Sequence, residues 1–153
     1  MTTHRPGRRI ESGLNLDALC DATSGFSSRI GGMVKKKVLI ADDSRLSHQL
    51  YMECLGDEFE YAHAYDGADA LVMAVSEVPD LLLLDLMMPL LDGRTICQKL
   101  KNHPKTKDLK IIMVTSRDSQ SDRLVGFEVG ADDYIEKSCP LSFLIRSVKK
   151  QLP

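Results

Sequence analysis

The stretch Leu81-Leu82-Leu83-Leu84-Asp85-Leu86-Met87-Met88-Pro89 governs how the rest of the chain is read. A half-exposed strand alternates apolar and polar side chains, and Leu81 to Leu84 does not. A short run that is apolar at every position fits a strand covered on both faces. The run stops at a carboxylate, Asp85, and Pro89 then marks a loop.

Outward from this strand, the chain alternates between two periods. Lys37 to Ala41 is another short apolar run, and Ser44 to Leu55 has helical spacing through Leu46, Leu50, Met52 and Cys54. Phe59 to Ala64 reads as the second strand, and Asp66 to Val78, rich in Ala and stopped by Pro79, as the second helix. After the central strand come a helix over Asp92 to Lys101 and a fourth strand over Ile111 to Thr115. A fourth helix is predicted over Ser119 to Val129, ended by Gly130. Tyr134 to Glu136 is a short fifth strand, and Pro140 suits the first turn of a last helix reaching Gln151. Five strand–helix units predict an α/β fold, a five-stranded parallel sheet with helices on both faces. Such folds bind ligands at the carboxyl ends of their strands.

The predicted strand ends carry Asp42 and Asp43, Asp85, Thr115 and, near the fifth, Lys137. Three carboxylates on one edge repel: at about 5 Å and an effective dielectric near 20, each pair costs roughly 3 kcal/mol. A divalent cation relieves that cost, and hard oxygen ligands with few protein contacts suit Mg²⁺, which also accepts phosphate oxygens. Metal, ammonium and hydroxyl together would neutralise a phosphoryl group in transfer, with one carboxylate as nucleophile.

Composition narrows the alternatives. The chain has 153 residues, of which 20 are Lys or Arg and 22 Asp or Glu, for a net charge of −2. That balance argues against electrostatically driven nucleic-acid binding. No apolar run approaches the ~18 residues that suggest a membrane span, so no membrane insertion is expected. Cys20, Cys54, Cys97 and Cys139 are widely scattered, with no C-x-x-C pair to suggest structural zinc. Scattered cysteines without a secretory signal fit a reduced, cytoplasmic setting. Residues 1–32 carry a net charge of +1 and are rich in Ser and Gly from Asp21 to Gly32. Residues 1–33 are read as a disordered or non-native extension, with a partner-docking peptide as the alternative, and residues 34–153 as the domain.

The joint pattern resembles the receiver domains of two-component response regulators, stand-alone and CheY-like. The matching segments are Val38-Leu39-Ile40-Ala41-Asp42-Asp43, Leu84-Asp85-Leu86-Met87-Met88-Pro89 with Asp92-Gly93, Val114-Thr115-Ser116, and Gly130-Ala131-Asp132-Asp133-Tyr134-Ile135-Glu136-Lys137. They span about Lys35 to Leu152, with Thr115 and Lys137 placed 30 and 52 residues after Asp85. The resemblance implies a flavodoxin-like (βα)5 fold. It implies that Asp85 is the phosphoacceptor, charged by a sensor histidine kinase or a phosphotransfer protein. Mg²⁺ would be held by Asp43, Asp85 and the backbone carbonyl of Met87, with Asp42 assisting through water. Lys137 would pair with Asp85 and then with the phosphate, Thr115 would bind a phosphate oxygen, and Tyr134 would turn inward as the switching aromatic. An effector protein would dock on the fourth helix, fifth strand and last helix. Such a protein is no enzyme beyond its own phosphotransfer and dephosphorylation.

Rival readings are weaker on the residues. An aspartate-nucleophile phosphohydrolase carries a second aspartate two residues after the nucleophile, where this chain has Met87. A P-loop enzyme needs G-x-x-x-x-G-K-[ST], which is missing. A phosphorelay carrier and a pseudo-receiver interaction module stay open. One departure from the family pattern is Ser138 after Lys137, where the family habitually places proline. A cis peptide before Ser costs about 3 kcal/mol, so a trans bond is expected. His48, His63 and His103 show no ligand spacing and read as ordinary histidines.

Overall fold

The computed structural model describes residues 29–30, 33–116 and 127–153. Two short strands, β1 (Arg29–Ile30) and β2 (Met33–Val34), pair antiparallel apart from the main sheet. They straddle the end of residues 1–33, read above as an extension, and two-residue strands are too short for periodicity to register. The main elements follow as β3 (Lys36–Ala41), α1 (Arg45–Leu55), β4 (Phe59–Ala64), α2 (Gly67–Glu77), β5 (Leu81–Leu84), α3 (Gly93–Lys101), β6 (Lys110–Thr115), β7 (Asp133–Glu136) and α4 (Leu141–Gln151). The helix expected over Ser119 to Val129 lies mostly outside the described residues. Of it, Phe127, Glu128 and Val129 are described; the first two are helical and Val129 lies in a turn. Gly130 follows with φ +104, and its N–H donates to the Phe127 carbonyl.

The five strands are all parallel, in the order β4-β3-β5-β6-β7. This is the flavodoxin-like arrangement the sequence predicts. The order reverses at β3, so the crevice between the carboxyl ends of β3 and β5 is where a ligand site belongs.

Helix starts are set by short polar caps. Ser44 accepts from the Ser47 N–H, Asp66 from the Asp69 N–H, and Asp92 from the N–H groups of Arg94 and Thr95. The sequence places the start of each of these three helices on its cap, one residue ahead of the first helical residue. Pro140 is likewise the residue before α4 rather than in its first turn; with φ −57 and ψ 144 it is still extended.

Strand parity then divides the core. Leu39, Leu82, Leu84, Ile111, Met113 and Tyr134 face one side, packed on Leu71, Val75, Ile96 and Leu100 of α2 and α3. Val38, Ile40, Leu81, Leu83, Ile112, Val114 and Ile135 face the other, packed on Tyr51, Leu55, Leu144 and Val148 of α1 and α4. All four leucines of β5 are at most 1% exposed, which explains the uniform run. Burying each is worth roughly 1.5–3 kcal/mol.

The loop after β5 is held from α2. The Gly67 N–H donates to the Pro89 carbonyl at 3.0 Å. A Cβ on Gly67 would lie 2.5 Å from the Leu91 carbonyl oxygen and 2.6 Å from Leu91 Cβ. The obstacle is mostly backbone, so the loop itself must move. Gly67→Ala is expected to cost about 2–4 kcal/mol, the range of overpacked or strained sites, read by urea unfolding. A loss under 0.5 kcal/mol would mean that the loop yields freely.

Candidate functional site

Three strand ends deliver the acidic groups and the lysine to the crevice. Asp42 follows β3, and its N–H donates to the Ala64 carbonyl at 3.1 Å. Asp85 follows β5, and its N–H donates to the Ala41 carbonyl at 3.0 Å. Lys137 follows β7, and its N–H donates to the Thr115 carbonyl at 2.8 Å. Extension of the parallel ladder past each strand therefore fixes where the side chains start.

Carboxylate oxygens of Asp42, Asp43 and Asp85 lie within 4.8 Å of one another. Asp42 is 1% exposed and Asp85 5%, while Asp43 is exposed. One oxygen of each buried carboxylate is already held by backbone. Asp42 Oδ1 accepts from the Ser44 N–H at 2.9 Å, and Asp85 Oδ1 from the Met87 N–H at 3.0 Å. The other two oxygens face Lys137, whose Nζ lies 2.7 Å from Asp42 Oδ2 and 3.3 Å from Asp85 Oδ2. The ammonium thus bridges both carboxylates, and its shorter contact is to Asp42. Pairing with Asp85 was the expectation; the bridge arises because both second oxygens point at one cation with three donors.

Burial pushes the Asp85 carboxyl above the ordinary carboxylate range, and the Met87 N–H and Lys137 offset this only in part. Burial works to lower the Lys137 pKa, but its contacts with Asp42 and Asp85 outweigh that and raise it. A buried carboxylate pair with one raised member is the kind of perturbation that gathers at reactive sites.

The family model for the response regulator receiver domain matches residues 38–149. The chain belongs to that family. The receiver domain is 40% identical over 102 residues to the response regulator PleD of Caulobacter vibrioides, a match covering 66% of this chain and 22% of PleD. It therefore spans about a fifth of the length of that relative. Among solved structures, it is similar to the beryllofluoride-activated receiver domain of DrrB from Thermotoga maritima, at 27% identity and TM-score 0.70, covering 77% of this chain and 97% of that one. It is also similar to the Mn²⁺-bound response regulator Rcp1, at 27% identity and TM-score 0.65, covering 75% and 90% of the two chains. Receiver domains are the phosphoacceptor modules of two-component signalling and interact with histidine kinases and effectors.

The other expected residues of the receiver domain have definite places. Thr115 is fully buried at the end of β6, on the parity of Ile111 and Met113, the face that also carries Tyr134. Tyr134 is 3% exposed, so its ring is packed inward. The Met87 side chain is half exposed beside Asp85. The Lys137–Ser138 peptide is trans, as are all described peptides. A turn replaces the proline: the Cys139 N–H donates to the Glu136 carbonyl at 2.9 Å, and the Ser138 hydroxyl bonds the Glu136 carboxylate. No described helix is long and apolar enough to cross a membrane.

Reading the histidines one by one missed a contact. His48 of α1 and His63 of β4 meet, Nδ1 to Nδ1, at 2.8 Å. Their separation of 15 residues is no motif, and only the packing of α1 over β4 joins them. Burial lowers the pKa of both imidazoles, which favours their neutral forms.

Proposed function

We propose that the domain of residues 34–153 takes a phosphoryl group from a phosphohistidine of a sensor kinase or phosphotransfer protein onto Asp85. An Asp85 oxygen would attack phosphorus as the P–N bond breaks. The bonding pair stays on the imidazole, which then takes a proton from water. Lys137 would move its ammonium from the carboxylates to the new phosphoryl oxygens, and Thr115 would donate to one of them. Tyr134 shares the Thr115 face of the sheet, so movement of Thr115 and repacking of Tyr134 would be one event. That repacking would alter the β7–α4 surface for an effector protein, by shifting a two-state population.

The donor set fits a hard divalent cation: buried and exposed carboxylates with oxygens close enough to share one ion. Asp43, Asp85 and the Met87 carbonyl would hold Mg²⁺, with Asp42 assisting through water. Bound there, Mg²⁺ would neutralise charge on the transferring group. We read the protein as cytoplasmic, in keeping with the free thiols of Cys54, Cys97 and Cys139. The observation that carries this reading is the Lys137 ammonium bridging two buried carboxylates at the β3–β5 crevice.

Beryllium fluoride, a phosphoryl mimic, gives the test. Mg²⁺ with beryllium fluoride is expected to raise the melting temperature more than Mg²⁺ alone, and Asp85→Asn to remove the difference. At 100-fold saturation a ligand adds about 2.7 kcal/mol. No added stability from the pair in the native chain would overturn the reading.

A further inference from the structure

Asp42 is held at four atoms. Its N–H, Oδ1 and Oδ2 engage Ala64, Ser44 and Lys137 as described above. The fourth is its carbonyl oxygen, 2.7 Å from His48 Nε2. This imidazole is 2% exposed and reaches from α1 onto the main chain of a buried site residue. Nothing in the phosphoacceptor reading uses it.

Elementary donor accounting fixes its tautomer. A carbonyl oxygen only accepts, so His48 Nε2 carries the hydrogen. The Nδ1 of a neutral imidazole so protonated has a lone pair and no hydrogen. His63 Nδ1 lies 2.8 Å from it and must therefore donate. The chain of bonds has one direction: His63 Nδ1–H to His48 Nδ1, then His48 Nε2–H to the Asp42 carbonyl. The plane of the His48 ring is fixed as well. Tyr65 stacks on it with centroids 4.3 Å apart and planes at 25°, and the Arg45 guanidinium lies 5.2 Å above the Tyr65 ring.

We propose that His48, set in its Nε2–H tautomer by the Asp42 carbonyl and held at Nδ1 by His63, is a positioning residue for the acidic site. It pins the Asp42 carbonyl where the chain leaves β3. That fixes the Asp42–Asp43 peptide, and with it the directions of both carboxylates toward Asp85 and Lys137. His48 touches no phosphoryl group or cation. The assignment rests on the phosphoacceptor reading for its consequence, though not for its geometry.

The experiment has two parts, both on the full chain. Long-range ¹H–¹⁵N correlation spectra at pH 7 read the tautomers directly. His48 is expected as Nε2–H and His63 as Nδ1–H; an Nδ1–H form of His48 would overturn the proposal. The second part compares His48→Leu, which has no donor, with His48→Gln, whose amide can donate. Cation affinity, probed with Mn²⁺, and labelling by a small acyl phosphate are both measured. Loss of the group that orients a metal ligand typically lowers affinity about 10–100-fold. His48→Leu is expected to fall in that range, and His48→Gln to recover to within a few-fold of the native protein. Equal losses in both variants, or a folded His48→Leu that matches the native protein, would overturn the role. Should His48→Leu fail to fold, His63→Leu takes its place. It removes the donor to His48 Nδ1 and is expected to lower labelling several-fold while His48 stays Nε2–H; unchanged labelling would overturn the proposal. A native protein that binds no Mn²⁺ and takes no label would instead defeat the phosphoacceptor reading, while the spectra still test the histidine pair.

Discussion

Lys137→Met is expected to destabilise the domain by about 2–3 kcal/mol without divalent cation. Millimolar Mg²⁺ should return most of that loss. The lysine bridges Asp42 Oδ2 at 2.7 Å and Asp85 Oδ2 at 3.3 Å, and those carboxylates are 1% and 5% exposed. Removing it leaves two buried negative charges facing each other. Breaking a buried pair typically costs about 3–5 kcal/mol, reduced here because the lysine side chain is itself partly exposed. The same contacts hold the Lys137 pKa above its ordinary value. Its stabilisation is therefore complete below the ordinary lysine range and fades as pH rises through the raised folded value. Urea unfolding with and without Mg²⁺ checks this. A variant as stable as the native protein in chelator would show that the carboxylates need no cation.

Asp85→Asn is expected to do the reverse, adding about 1–2 kcal/mol at pH 7. Neutralising one of two carboxyls that share a buried site removes their repulsion and the desolvation cost of the ionised Asp85. The amide oxygen can still accept from the Met87 N–H, and Lys137 keeps Asp42. Burial holds the Asp85 carboxyl above its usual range, so the folded state retains its proton to higher pH than the unfolded chain does. For such a group the stabilisation is full below the ordinary carboxylate value and lost as pH rises through the folded one. The gain from Asp85→Asn should accordingly grow between acid pH and neutrality. A native-minus-variant difference that stays flat across that range would refute the burial argument.

Much of this was legible in the chain. Leu81 to Leu84 is apolar throughout because β5 lies in the middle of the sheet, under helices on both sides. Asp42, Asp85 and Lys137 converge because each follows a parallel strand, and parallel strands end on one edge. Helix starts came out one residue early because Ser44, Asp66 and Asp92 cap the helices without entering them. Other features were closed to the sequence for physical reasons. That Lys137 lies nearer Asp42 than Asp85 depends on which oxygens Ser44 and Met87 occupy. The turn that follows Lys137 needs the Ser138 hydroxyl against Glu136, which no proline pattern predicts. The His48–His63 contact comes from packing α1 on the edge strand β4, and no spacing encodes it. The residues expected to form the helix after Thr115 lie largely outside those described.

The most direct measurement is covalent labelling of Asp85. The native protein and Asp85→Asn are incubated with Mg²⁺ and a small acyl phosphate, and intact masses are compared. The expected result is one phosphoryl adduct on the native chain, removed by hydroxylamine and missing from Asp85→Asn. No adduct on the native chain, or the same adduct on the variant, would contradict a phosphoacceptor at Asp85.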